Sequence, residues 1–391
     1  GSGAHGLMRF LAGNAVALLE NGEQYFPALE AEIDRAEREI FLQSYIFEDD
    51  GTGARIAAAL ARAAGRGVAV RVMVDGFGGR SFVARLMPRL REAGVQVLIY
   101  RRELRTLSLR RHRLRRMHRK VVAIDGRVAF VGGINVVDDY AAGALANPRY
   151  DYAVRVEGPV LEPVVASAQR LWRLVAWASF RRRAAQPLLA PPRTDAAGSI
   201  RAAFVVRDNL RHRHAIEDAY LDAIAGAREE IVLANAYFFP GRRFRQALID
   251  AARRGVRVTL LLQGVSDHPM QVYATRALYP IFLDAGIRLF EYHRSHLHAK
   301  VAVIDHQWAT VGSSNIDAFS LLLAREANVF VDDRGFASQL RASLEAALCA
   351  GARELRRSDW QRLPLLRRGL SWLAYQLVRL AIGIAGYGGA H

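Results

Sequence analysis

One short motif is written twice in this chain, and it constrains the fold more than any other feature. His118-Arg119-Lys120, followed by Asp125, reads H-x-K-x-x-x-x-D, and Gly132-Gly133-Ile134-Asn135 begins seven residues after the Asp. His298-Ala299-Lys300, followed by Asp305, repeats the pattern, with Gly312-Ser313-Ser314-Asn315 at the same distance. The chain carries 55 Lys and Arg residues, and only Lys120 and Lys300 are lysine. A compact ammonium and a planar guanidinium are not interchangeable at a phosphate. The two places where lysine is kept are therefore marked against an arginine background.

The surroundings of the motif repeat as well. Residues 39–47 and 230–239 are matching apolar strands, and 59–76 (ALARAAGRGVAVRVMVDG) matches 247–264 (ALIDAARRGVRVTLLLQG). The offset is 188 residues at Gly76 and Gly264 and 180 at His118 and His298. An internal repeat this long implies duplicated lobes. Apolar strands alternating with amphipathic helices predict an α/β fold, each lobe a mainly parallel sheet flanked by helices. The simplest arrangement is a pseudo-twofold with both motifs meeting at the lobe interface. The spacing predicts an N-terminal lobe over 8–183, a Pro- and Ala-rich linker over 184–200, a C-terminal lobe over 201–360 and a terminal segment over 361–391. In the first lobe a turn at Glu20-Asn21-Gly22 should precede a helix from about Tyr25.

The length, 391 residues, suits two domains, and the net charge of +17 points to an anionic partner. The single cysteine, Cys349, excludes an internal disulfide framework and a Cys-based zinc site. Residues 1–5 read as an expression scar, and no signal peptide or uncharged membrane span is expected after them. The repeats differ at 101–117, an insertion with eight arginines among 17 residues and leucines between them. Its Arg110, Arg111, Arg113, Arg115 and Arg116 are candidate contacts to anionic headgroups.

In a strand, residues i and i+2 share a face. His118 and Lys120 therefore point the same way, as do His298 and Lys300. Asp125 and Asp305, the last members of the catalytic motifs, lie at odd separation and read as structural groups rather than proton carriers. Asn135, Ser313 and Asn315 are candidate donors to phosphoryl oxygens. Tyr45, Tyr237, Arg207, Asp208, Asn209 and His268 are further candidates for the pocket wall. Two imidazoles and two ammonium groups, with no carboxylate cluster suited to Mg²⁺, fit phosphoryl transfer without metal or cofactor. One His would attack phosphorus, and the other would move the proton.

The paired motifs resemble those of the phospholipase D superfamily, over nearly the whole chain. Finer features resemble bacterial cardiolipin synthases of the short type without N-terminal transmembrane helices. These are residues 19–25 (LENGEQY), 116–120 (RMHRK), 151–159 (DYAVRVEGP), 308–315 (WATVGSSN) and 325–328 (REAN). The resemblance implies that an acidic residue downstream of each motif orients the His of the other half, which puts Glu326 near His118 and Asp151 near His298. It also implies His118 as nucleophile and His298 as general acid/base. Gly133, where the second motif has Ser313, is a departure that makes the halves unequal.

Residues 363–386 form an apolar helical run with a narrow polar stripe. Arg379 at its middle makes it a poor span, whereas Trp372 and Tyr375 suit a helix lying in the membrane plane. The expected function is a transphosphatidylase of the cardiolipin synthase type. It would use phosphatidylglycerol as donor and acceptor and act peripherally at the bacterial inner membrane, on its cytoplasmic face. A phospholipid hydrolase or a nuclease is the enzymatic alternative, and a basic membrane-binding scaffold the non-enzymatic one. Nucleic acid is not the expected partner, and oligomeric state stays open.

Overall fold

The computed structural model describes residues 8–101, 116–140, 147–208, 212–266, 268–317 and 324–385. The first lobe runs β1 (Leu11–Glu20), α1 (Asn21–Asp34), β2 (Glu39–Ser44), α2 (Gly51–Gly65), β3 (Ala69–Asp75), α3 (Met87–Glu92), β4 (Gln96–Tyr100), β5 (Lys120–Ile124), β6 (Val128–Gly132), β7 (Tyr152–Glu157) and α4 (Leu161–Ala178). The second runs β8 (Ile200–Arg207), α5 (Ala215–Gly226), β9 (Glu230–Asn235), β10 (Phe238–Phe239), α6 (Arg242–Arg253), β11 (Arg257–Gln263), α7 (Pro269–Arg276), α8 (Tyr279–Asp284), β12 (Arg288–Tyr292), β13 (Lys300–Ile304), β14 (Trp308–Gly312), β15 (Ile316–Asp317), β16 (Glu326–Asp332) and α9 (Arg334–Gly351). After it come β17 (Ala352–Leu355), α10 (Arg357–Gln361) and α11 (Leu365–Ala385).

The strands of the first lobe lie in the order β4-β3-β2-β5-β6-β7-β1, and β12-β11-β9-β13-β14-β16-β8 repeats that order in the second. Edge strands β1 and β8 pair antiparallel, so the lobes share one 15-stranded sheet. The sheet is mixed rather than mainly parallel. Within this sheet only β2-β3-β4 and β9-β11-β12 are parallel, and its other described pairs are antiparallel; β10 and β15 form a separate parallel pair. The cause is loop length: residues 125–127 and 305–307 join consecutive strands, and a parallel crossover needs about a dozen residues or more.

Residues of β5 are buried on both faces. Val122 and Ile124 pack into the core of their own lobe, and Val121 and Ala123 into a central core shared with the second lobe. In β13, Ala302 and Ile304 face the lobe core, while Val301 and Val303 face the shared one. Helices α4 and α9 fill that shared core through Trp172, Val165, Leu340 and Leu344. The two motif strands are thus clamped between a private layer and a common one.

Helix α1 begins at Asn21, earlier than the expected Tyr25, because Asn21 takes φ +57 and turns the chain straight from β1 into the helix. The stretch 184–200 is strapped down: Leu189 and Ala190 N–H donate to Glu39, and Arg193 N–H donates to the Gly126 carbonyl. Helix α11 docks one face, through Ser371, Ala374 and Tyr375, on the second lobe. Its other face exposes Leu366, Leu370, Trp372, Leu373, Leu377 and Leu380. No helix among the described residues is long and apolar enough to cross a membrane.

The motif aspartates stand at the far end of the motif strands, about 20 Å along the chain from the histidines. Asp125 accepts the backbone N–H groups of Glu37, Arg38 and Glu39 at 2.8–2.9 Å, and Asp305 accepts those of Arg228, Glu229 and Glu230 at 2.8–3.0 Å. Each carboxylate ties the entry of β2 or β9 to the hairpin that follows the motif. Burial pushes Asp305 up, yet the three N–H groups outweigh it and hold the carboxyl below its usual value. These groups are structural and do not touch the histidines. Asp125→Ala should lower the unfolding free energy by about 3 kcal/mol, from the loss of charge-assisted hydrogen bonds, read as a shifted denaturant midpoint.

Candidate active site

Two pairs of backbone hydrogen bonds set the site. His118 N–H donates to the Arg325 carbonyl at 2.9 Å, and Arg325 N–H to the Arg116 carbonyl at 2.8 Å. In the other direction His298 N–H donates to the Tyr150 carbonyl at 2.8 Å, and Tyr150 N–H to the His296 carbonyl at 2.9 Å. Each motif is therefore stitched, main chain to main chain, to the residue just before the other lobe's acid. Glu326 then lies 3.0 Å from His118 Nδ1, and Asp151 lies 2.6 Å from His298 Nδ1. With Nδ1–H assigned as donor to the carboxylate, each ring keeps its Nε2 lone pair for chemistry.

The lysines stand on the same face as their histidines, as the i, i+2 spacing requires. Lys120 Nζ is 3.4 Å from His118 Nδ1; Lys300 Nζ is 3.1 Å and 3.2 Å from the two ring nitrogens of His298 and donates to its carbonyl. Both lysines are buried. Burial lowers Lys120 to about 7, reinforced by Lys300, and lowers Lys300 to about 8. Burial also pushes both histidines down, His298 further, under the charges of Lys300 and Lys120. Charges of each half thus act on groups of the other, and the halves build one site.

The two acids differ. Asp151 is raised to about 6 by burial, against the pull of Lys300. Burial also opposes ionisation of Glu326, but His118, Arg207 and Lys120 outweigh it and bring the carboxyl to about 2. Ser313 explains part of this. It does not point at a ligand: its hydroxyl donates to Glu326 and accepts the Ala327 N–H at 3.1 Å. In the first lobe that place is taken by the shorter acid itself, since a Cβ on Gly133 would meet Asp151 Oδ1 at 2.5 Å. The sequence departure at Gly133 makes room for Asp151, which is further held by Asn21, whose Oδ1 accepts the Asp151 N–H at 2.9 Å.

Asn135 and Asn315 are buried beside the site, and their carboxamide oxygens are used internally. Asn135 Oδ1 accepts the Ile46 N–H at 3.0 Å, and Asn315 Oδ1 accepts the Tyr237 N–H at 3.1 Å. The Tyr45 ring lies 4.9 Å from the His118 ring. Arg207 is buried behind Glu326 and donates to the Ala324 carbonyl, and Tyr237 and His268 stand with ring centres 6.3 Å apart. Asp208 pairs with His212. Arg116 lies 3.5 Å from Asp75 and over the Phe77 ring, engaged within its own lobe. Trp372 and Arg379 are exposed on α11. Arg110, Arg111, Arg113, Arg115 and Asn209 lie outside the described residues. Sequence reasoning missed Arg119, a buried guanidinium on the opposite face of β5, which donates to Gln43 Oε1 and Ser167 Oγ at 2.7 Å. Its odd position between His118 and Lys120 was the available signal.

The paired titrations set a pH window. For a soluble phosphodiester such as bis(p-nitrophenyl) phosphate, kcat/KM should fall as pH drops through about 6, where Asp151 takes a proton and His298 loses its acceptor. It should fall again above about 7–8, as the lysines lose theirs. In Asp151→Asn the acid limb should disappear on a plateau lower by about 10²–10⁴-fold.

The chain matches the family described as cardiolipin synthase, PLD-like domain, over residues 29–172 and 220–348. It is 39% identical over 389 residues to cardiolipin synthase B of Escherichia coli (strain K12), covering 97% of this chain and 91% of that protein. Cardiolipin synthase B of Salmonella typhi matches with the same identity and coverage. Among solved structures the fold is similar to phosphatidylserine synthase of Haemophilus influenzae Rd KW20. The TM-score is 0.70 at 11% identity, covering 97% of this chain and 96% of that one. The chain belongs to the cardiolipin synthase family of phospholipase D-like proteins.

Proposed function

We propose that the protein is a phosphatidyltransferase that joins two phosphatidylglycerol molecules into cardiolipin and releases glycerol. The observation that carries the reading is the reciprocal His–acid pairing, which sets each imidazole Nδ1 on a carboxylate of the other lobe and each ring beside a buried ammonium group, in a chain of this family. His118 Nε2 attacks phosphorus, and the bond to the glycerol headgroup oxygen breaks. His298 gives that oxygen a proton, leaving phosphatidyl-His118. A hydroxyl of the second phosphatidylglycerol then loses its proton to His298 and attacks phosphorus, and the P–N bond breaks. Lys120, Lys300 and the Nδ2 groups of Asn135 and Asn315 face the phosphoryl oxygens. The substrate anion offsets the lysine charges and raises His298 toward the protonated form its role needs.

The contrast between the acids supports this assignment of roles. Glu326, ionised at any working pH, holds His118 in one tautomer for attack. Asp151, titrating near neutrality, backs the histidine that must gain and lose protons. Phosphatidylglycerol vesicles in EDTA should give cardiolipin and glycerol with wild type, and His118→Ala and His298→Ala should each lose about 10³-fold or more. Phosphatidic acid as sole product would make the protein a hydrolase. DNA cleavage without lipid products would make it a nuclease. Wild type mixed with phosphatidylglycerol and denatured in detergent at mildly alkaline pH, where a P–N bond survives, should carry phosphatidyl on His118, seen by mass spectrometry, and His118→Ala should not.

The exposed face of α11 supports peripheral attachment to the membrane surface. Leu366, Leu370, Leu373, Leu377 and Leu380 recur at helical spacing and form one apolar stripe. Leu373→Glu with Leu377→Glu should weaken co-sedimentation with anionic vesicles by about tenfold or more, because each buried leucine contributes about 1.5–3 kcal/mol.

A further inference from the structure

Beneath α11 lies a cavity of about 410 Å³ between that helix, α7 and β10. Phe238, Phe239, Met270, Ala274, Val378 and Ala381 line it, and among the described residues no Lys or Arg does. Its floor continues directly from the second motif. Phe238 and Phe239 pair with Ile316 and Asp317, the two residues after Asn315, and Asn315 itself holds the Tyr237 amide. Its roof is pinned by Tyr375, whose ring lies 5.4 Å from Phe239.

The pseudo-twofold offers an internal control. In the first lobe Phe47 bridges Val136, the residue after Asn135, just as Phe238 pairs with Ile316. There the space behind Phe47 is filled by Phe82, 4.8 Å away and fully buried. Phe238 meets Phe282 and Phe244, at 5.6 and 6.4 Å between ring centres, and the cavity lies between it, α7 and α11. Polar groups enter the lining at Tyr237, His268, Gln271, Thr275 and Asp317, and the apolar surface between them forfeits packing while it stays unfilled. A headgroup phosphate would meet the Asp317 carboxylate there and no Lys or Arg among the described residues, whereas a hydrocarbon chain would lie against apolar walls.

We infer that this cavity is an acyl-chain slot, taking one fatty chain of the phospholipid whose phosphate lies between His118 and His298. The inference rests on the proposed lipid chemistry and adds the route by which the lipid reaches it. The leucine stripe of α11 faces the bilayer, the inner face of the same helix roofs the slot, and the floor leads to Asn315. One chain leaves the membrane under α11 while the headgroup enters the site.

The test compares dioleoyl- with dihexanoyl-phosphatidylglycerol, both in neutral detergent micelles, so that vesicle binding plays no part. Ala381→Trp fills the slot from the exposed helix, and Ala274→Trp from the buried side; thermal unfolding checks that each variant folds, and Ala381→Trp stands alone if the buried change does not. The expected result is a rise of about tenfold or more in KM for the dioleoyl lipid, with a much smaller change for the dihexanoyl lipid. Equal losses on both lipids, or no change on either, would overturn the slot and leave the cavity to a segment of this chain or a second copy. A wild type that turns over neither lipid would sink the phosphatidyltransferase reading and the slot with it.

Discussion

The site depends on two backbone hydrogen bonds that cross the lobe interface, His118 to Arg325 and His298 to Tyr150. Main-chain pairing has little freedom, and each acid is one residue beyond the acceptor carbonyl. The distance between a histidine and its carboxylate is therefore fixed by how the lobes dock, not by a long side chain searching for a partner. The shared core under α4 and α9 holds that docking in place. An error in packing there would open both His–acid pairs together, because the pairs are reciprocal.

Within this symmetric frame the two halves have diverged where chemistry needs them to differ. A two-step transfer asks one histidine to carry the phosphoryl group and the other to carry the proton. Ser313 donates to the longer Glu326, which His118, Arg207 and Lys120 hold low, while Gly133 leaves room for the shorter Asp151, which burial raises to about 6. Further out, Phe47 packs on Phe82 in the first lobe, while a cavity lies beside Phe238 under α11 in the second.

The buried lysines show why the charge balance must be read as a group. Two ammonium ions, two imidazoles and two carboxylates share a water-poor pocket, and burial penalises every charged form in it. The acids offset the lysines, and an anionic substrate completes the balance. In the proposed function, the surplus of arginine elsewhere in the chain and the apolar face of α11 would address an anionic lipid surface.

Much of the site was legible from the chain alone. The repeat, the i, i+2 placement of His and Lys, and the structural reading of Asp125 and Asp305 all follow from local spacing, because strand geometry is periodic and short-ranged. The mixed sheet was legible in principle, since 125–127 and 305–307 are too short for a crossover, yet the helix–strand alternation outweighed that signal. The roles of Ser313, Arg119 and the asparagine oxygens, the strapped linker and the cavity under α11 were not legible. The sequence by itself determined that there are two lobes, two motifs and one class of chemistry. The family resemblance already paired Glu326 with His118 and Asp151 with His298; only the tertiary structure decided the distances and charge of those pairs, and where open space remains, because those depend on burial and on contacts between residues over a hundred positions apart.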